Sequence, residues 1–348
     1  MTTHRSARLG LAAAAAVVGT CAAAPAHADD CQPSSELSTC VTADTVWPHA
    51  GDGRWFRIAP TQAVPHGSVA FGLVASYISR PIGLRVSSPD PEGTTIWAVD
   101  NSLLATYLMA VGLGDRLQLD LAAPVVLFQD GAGVADVEGS GELLPRSAVG
   151  DPRLGVNVSI LQRPERQDGP GLAGRFDISF PVGDETAFVS SGAPEYVPGI
   201  SYDHRAGRVT WGADLSGRLR PTRKLAGARI GSQIGLSAGF MVDILADDWL
   251  SAGGEASLLG TIMEQQELTW DATELERVAE PSTTPHLPAE WMVTVRSAGL
   301  LDGRLVTSLG GGSFIPTGGE SPVTVPRFRF MLGVRYVPRS EHAFSDVD

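Results

Sequence analysis

The sequence predicts an all-β protein: a closed, antiparallel transmembrane β-barrel of about twelve strands, with short periplasmic turns and long extracellular loops. Three observations carry that expectation. Stretches of about ten residues alternate between apolar and polar or small side chains, the period-2 pattern of a strand with two unlike faces. The connections between these stretches are alternately short and long. The composition excludes the competing classes. Forty glycines in 348 residues exceed the roughly 7% usual in soluble domains. Only 19% of residues are charged and 43% are hydrophobic, too apolar for a disordered chain. A mean hydropathy of +0.05 is too polar for a helical membrane bundle. The net charge of −13 lacks the basic footprint that phosphate binding requires, so no nucleic-acid partner is expected.

The elements follow in order. His4, Arg5 and Arg8 precede an apolar stretch over 9–18, and Ala26-His27-Ala28 supplies a small-x-small cleavage pattern before Asp29. This predicts a cleavable export signal over 1–28, because the apolar stretch falls short of the roughly 20 residues that span a bilayer. Thr20 before Cys21 fits a lipoprotein site poorly. Removing the signal takes away Arg5 and Arg8 and no acid, so the exported chain is more acidic still. It keeps Cys31 and Cys40, close together in an oxidising compartment, where a local disulfide is expected. Residues 29–65 form a separate N-terminal segment, expected in the periplasm. Trp47, Trp55, Phe56 and Ile58 lie there without sustained alternation. Apolar clusters of this kind usually find a surface to cover. The segment is therefore expected either to fold against the periplasmic mouth or enter the lumen as a partial plug, or else to remain a disordered leader.

The barrel is expected over 66–338. Its last strand is the clearest: Phe328, Phe330, Leu332, Val334 and Tyr336 alternate with Arg327, Arg329, Gly333 and Arg335. Leu117, Leu119, Leu121, Ala123, Val125 and Leu127 alternate with Arg116, Gln118 and Asp120. Leu154, Val156, Val158 and Ile160 alternate with Arg153, Gly155, Asn157 and Ser159. Phe176, Ile178, Phe180 and Val182 face away from Arg175, Asp177 and Ser179. Val209, Trp211, Ala213 and Leu215 face away from Thr210, Asp214, Ser216 and Arg218. Weaker patterns fall at 68–78, 102–113, 195–204, 231–244, 249–261, 289–298 and 304–315. Short connections lie at 114–115, 163–171, 205–207, 246–248 and 299–303. Long ones lie at 79–101, 128–150, 183–194, 221–230, 262–288 and 316–326. A soluble sandwich also alternates, but its solvent face would carry Lys and Glu. Here the polar face is Gly, Ser, Thr, Asn and Arg-Asp, as a confined lumen requires. Lipid forbids open sheet edges, which forces closure. Tyr77, Tyr107, Trp211, Trp249, Trp291 and Tyr336 fall where interfacial girdles form. Residues 339–348 make a C-terminal tail.

From about 54 to 338 the chain resembles the twelve-stranded barrel at the N-terminus of outer-membrane-protein-A-like proteins of delta-proteobacteria. It is similar also to the transporter barrels named after the phenol-degradation MetA pathway. The segments carrying this are YLMAVGLGDRLQLDLAAPVVLFQDG, VGDPRLGVNVSIL, FDISFPVGDE and RFRFMLGVRYVP. In many relatives the barrel is followed by Asp-rich calcium-binding repeats and a peptidoglycan-binding domain. This sequence runs to Ser345-Asp346-Val347-Asp348 with neither, so the resemblance implies the barrel and leaves the anchoring role aside.

No chemistry emerges. His49, His66, His204, His286 and His342 are scattered, and no H-E-x-x-H or C-x-x-C motif occurs. No enzyme, cofactor or metal site is expected. The glycine runs at 169–174 and 309–313 open no helix, so they read as crowded-lumen or bend positions and not as phosphate loops. The candidate constellation is the set of inward charges: Arg116, Asp120, Arg153, Arg175, Asp177, Asp214, Arg218, Arg220, Asp243, Glu255, Arg296, Arg327, Arg329 and Arg335, with Asp203 beside them. They predict either a plug of buried ion pairs or a charged constriction that selects solutes. Gly155, Ser159, Gly212, Ser216, Gly235, Gly239, Gly253 and Ser257 leave space between them, and twelve strands enclose more room than the eight whose side chains fill a barrel. The acidic loop 263–288 is expected to be solvated, with Asp271 and Glu274 able to cap a short helix. The expected function is a passive channel or transporter for small solutes in the outer membrane, the alternative a non-conducting structural or surface-display barrel. Expected partners are outer-membrane lipid and lipopolysaccharide, the barrel-assembly machinery during insertion, and a small solute.

Overall fold

The structure, a computed structural model, describes residues 38–86, 94–134, 143–163, 167–225, 228–245, 248–261, 266–271, 276–281, 287–301, 303–316 and 325–338. The export signal, Cys31 and the tail 339–348 lie outside them. Twelve antiparallel strands close on themselves. In chain order they are β1 Val69–Val86, β2 Thr94–Gly112, β3 Leu117–Asp130, β4 Arg153–Leu161, β5 Gly169–Ser179 and β6 Glu195–Ala206. Then come β7 Val209–Arg218, β8 Gln233–Asp243, β9 Ser251–Thr261, β10 Ala289–Leu300, β11 Leu305–Phe314 and β12 Phe328–Tyr336. Each pairs with its chain neighbours. β12 pairs with β1 in the register Leu73 with Val334 and Val74 with Gly333, which leaves no edge.

Side-chain parity sets which face looks where. Leu154, Val156, Val158 and Ile160 of β4 are exposed on the outer wall, while Arg153, Gly155, Asn157 and Ser159 are buried inside. β12 repeats this with Phe328, Phe330, Leu332 and Val334 outside and Arg329, Met331, Gly333 and Arg335 inside. The outward set, with Leu73, Leu119, Leu215, Leu236, Phe240, Val293 and Leu309, makes a continuous apolar belt. Tyr107, Trp211, Trp249 and Trp291 are exposed with it.

Several elements differ from expectation. β1 and β2 run through most of the stretch 79–101 predicted as a loop. Alternation fails there because the register shifts between Ser79, Ile82 and Gly83. Arg80 takes φ +54 at this bulge, and its Nε donates to Asp100 at 3.0 Å. β5 begins at Gly169 within a predicted turn and ends before Phe180, because Gly169, Gly171 and Gly174 mask the alternation. In the acidic loop, Gln266–Asp271 pairs with Glu276–Pro281 as a ribbon, with Asp271 opposite Glu276. Asp271 and Glu276–Pro281 are thus extended where a helix capped by Asp271 was expected: β-branched and aromatic residues favour an extended pair. Arg223–Leu225 and Ala228–Ile230 form a further small hairpin at the same end.

The apolar core sits inside the barrel. Ile78, Ile82, Leu84, Ala98 and Val99 join Phe188, Leu225 and Ile230 as a cap beneath the long loops. A second cluster lies against β1, β2, β10 and β12 lower in the lumen.

Candidate functional site

Residues 38–65 run through the barrel from end to end. At the long-loop end, the Ser38 N–H donates to the Lys224 carbonyl and the Ala43 N–H to the Phe188 carbonyl, both at 2.8 Å. Val41 and Ala43 are buried in the cap. At the short-turn end, the Gly67 N–H donates to the Gly112 carbonyl at 2.9 Å, and the chain passes into β1. The segment is thus hydrogen-bonded to the barrel at both ends and runs on directly into a wall strand at the short-turn end. Cys40 is disulfide-bonded; its expected partner Cys31 falls outside the described residues.

The segment has no regular structure, so its buried backbone groups need partners from elsewhere. The wall supplies them. Glu255 accepts from the Phe56 and Arg57 N–H groups at 3.1 and 3.0 Å. Ser159 accepts from the Ala63 N–H at 2.9 Å, and Gln118 from the Val64 N–H at 2.8 Å. In the other direction, Arg335 donates to the Gly53 carbonyl at 2.8 Å, Asn157 to Pro60 at 3.1 Å and Ser159 to Thr61 at 2.8 Å. Inward polar residues that a strand pattern predicts as pore lining therefore serve here as hydrogen-bonding partners of a second chain segment.

Small residues on the wall receive its rings. A Cβ at Gly212 would lie 2.9 Å from the Trp55 ring and one at Gly239 2.8 Å from its Nε1. Gly310 and Gly333 meet the Phe56 ring in the same way, at 2.9 and 3.2 Å. Trp55 and Ile58 pack with Met241. On the opposite side Val46, Phe56 and Val64 pack against Val74, Leu108, Met292 and Met331.

Charge completes the fit. Arg329 donates through Nε to Glu290 at 3.0 Å and through Nη1 to Asp44 at 2.6 Å and Ser76 at 3.1 Å. It so links β12, β10, β1 and the segment. Arg57 pairs with the same Glu290. Arg54 and Arg205 share Asp243 and Asp248 near the short turns, with Arg54 to Asp248 at 2.9 Å and Arg205 to Asp243 at 2.8 Å. Burial alone would raise the Asp248 carboxyl, but Arg54 and Arg205 outweigh it and hold the group well below the usual carboxylate range. Burial pushes the Asp151 carboxyl up, against N–H donors from Ser191 at 2.9 Å and Gly183 at 3.0 Å.

Of the predicted lumen residues, twelve point inward. Arg175 pairs with Asp214 and lies 3.5 Å from Asp177. Arg220 pairs with Glu195 at 3.1 Å, Arg296 with Asp52 at 2.6 Å, and Asp120 accepts from Gln118 at 2.6 Å. Arg153 and Arg218 lie over the Trp47 ring at 4.4 and 3.9 Å. Asp203 binds Arg163 and Thr61, both at 3.0 Å. Arg116 and Arg327 do not line the lumen. Both are exposed, because they precede their strands by a residue and project beyond the wall; Arg327 lies 5.8 Å from the Trp97 ring. Sequence reasoning missed Glu195, Glu290, Asp248 and Arg205. The first two share inward parity with Ser201 and Arg296, which was the available signal. The acidic and basic residues of the segment itself gave none, having no period.

Two cavities of about 50 and 60 Å³ flank Trp47. A larger depression of about 670 Å³ opens at the short-turn mouth, bordered by Asp52, Gln62, Arg116 and Arg163.

No family model matches the chain, and no curated protein matches it. Among solved structures it is similar to the COG4313 outer membrane channel from Pseudomonas putida F1. The identity is 13%, over 80% of this chain and 97% of that one, with a TM-score of 0.53. That likeness is one of fold. A NanC porin matches at 10% identity over 76% of this chain and 98% of its own, with a TM-score of 0.44. A FadL homologue from Pseudomonas aeruginosa matches at 11% over 88% and 99%, with a TM-score of 0.34. These two are too distant to bear on the chain.

Proposed function

We propose that this protein is an outer-membrane β-barrel channel or transporter for small solutes, held shut in the present state by its own residues 38–65. The carrying observation is the kind of wall beneath the segment. Apart from Met241 and the Val74, Leu108, Met292 and Met331 patch, Ser, Gly, Asn, Arg and Asp line it, and such a surface stays hydrated if the segment leaves, whereas a wholly apolar wall would collapse or dewet. The apolar outer belt supports insertion in lipid, which in this fold means the outer membrane, reached through the signal over 1–28. Short turns then face the periplasm and long loops the outside, with outer-membrane lipid and lipopolysaccharide as neighbours. Of the two resemblances seen in sequence, the transporter-type barrel suits a lumen closed by a separable segment. The non-conducting structural barrel draws support from the density of ion pairs that lock the segment to the wall.

Conductance in planar bilayers decides between them. The refolded full-length chain is expected to be nearly silent, and a variant lacking 38–59 to show large steady steps. Two silent proteins, both folded, would overturn the channel reading and favour the structural one.

A further inference from the structure

Trp47 separates the two small lumenal cavities, and their surroundings differ. The one of about 50 Å³ faces Asp44, Asp151 and Glu195. The one of about 60 Å³ faces Arg218 and the hydroxyl-bearing Ser216, Ser237 and Ser257. Its single carboxylate, Asp214, is already taken: Arg175 binds both its oxygens and Ser201 donates to it at 2.6 Å. Arg57, also on its rim, is engaged by Glu290.

Arg218 is in a different position. It is 7% exposed, its Nε lies 4.0 Å from Glu195, and its Nη2 reaches the Thr45 carbonyl only at 3.4 Å. Nη1 has no hydrogen-bond partner. Glu195 does not serve it: Arg220 holds Oε1 at 3.1 Å, and Oε2, itself without a hydrogen-bond partner, stays 4.0 Å from Arg218 Nε, beyond hydrogen-bond reach. Arg153, on the same indole ring, adds a second positive charge from the other cavity's side. A buried guanidinium with an unmet donor is costly unless something negative or strongly polar meets it. A cavity of this size exceeds the roughly 10–15 Å³ that one water needs.

We propose that this cavity is a binding site for one small anion, of halide to carboxylate size. Arg218 supplies the charge, Ser216, Ser237 and Ser257 supply donors, and Trp47 forms the partition. That the same anion class is the transported solute rests on the channel reading; the site itself does not.

Bromide tests it, using crystals of the full-length folded protein grown over a series of sodium bromide concentrations. An anomalous difference peak is expected in the cavity beside Arg218. In R218Q the half-saturating concentration should rise about tenfold, as for loss of one charged hydrogen bond. If R218Q does not fold, S237A/S257A should weaken occupancy about threefold while keeping the charge. Bromide absent from the cavity, or bound equally in these variants, overturns the site. Conductance of the variant lacking 38–59 is measured apart, so a silent barrel with an occupied site sinks only the channel reading.

Discussion

Arg329 shows how much of this molecule hangs on single buried charges. It is 1% exposed and joins Glu290, Asp44 and Ser76 on three elements. Replacing it with Met leaves two carboxylates in the lumen without their main counter-ion, a loss of about 3–5 kcal/mol. Denaturant unfolding in detergent micelles should show it. The double variant R329M/E290Q should be less destabilised than the two single effects added, because the two residues are one interaction. Asp248 adds a pH signature. Its pKa is depressed in the folded state, so its stabilisation is complete above the unfolded carboxyl's value and lost as pH falls through the folded one. The advantage of wild type over D248N should therefore be flat from about pH 8 to pH 5 and shrink below about pH 4. A deficit that fades already near pH 6 would sink the Arg54–Asp248–Arg205 account. Residues of this kind were half legible in the sequence. Arg329, Arg335, Arg175 and Asp214 stand out because they break an apolar strand at inward positions. Their partners on residues 38–65 do not, since an irregular segment gives parity nothing to act on.

At the scale of elements, strands were legible where both faces are pure and illegible where geometry slips. β4 and β12 alternate without a break. The far halves of β1 and β2 do not, because the bulge at Arg80 moves the pattern by a residue and the cap then buries Ile82 and Leu84. The aromatics of residues 38–65 left a plug and a disordered leader both open, because the glycines that receive them lie on β7, β8, β11 and β12, far off in sequence. If the outer face of β4 lies in lipid, Val156→Arg should cost about 2–4 kcal/mol near mid-membrane, and Val156→Leu almost nothing. Folding titrations into lipid vesicles measure both. Gly155, its inward neighbour, is no control for an open lumen: a side chain there would collide with Asp177. Equal, small effects of Arg and Leu at Val156 would mean that this face meets water.

For the whole molecule, closure and threading together fix an orientation that cells can report. β12 returns to β1, so the barrel has two ends and no side. All the short turns lie at the end where residue 65 leads into β1, and the ribbons at 223–230 and 266–281 lie at the other, beside Ser38. If the long-loop end faces outward, protease added to intact cells should cut within 263–288. It should spare the turn at Gly207-Arg208, although both residues are exposed. Permeabilising the outer membrane should then make Arg208 a tryptic site. The comparison is internal to one protein, so weak proteolysis cannot mimic it: the same sample reports both ends. Cleavage at Arg208 in intact cells, with 263–288 preserved, would invert the barrel. It would then place the β1 end of the 38–65 segment outside and its Ser38 end in the periplasm, and opening would require that segment to withdraw toward the exterior.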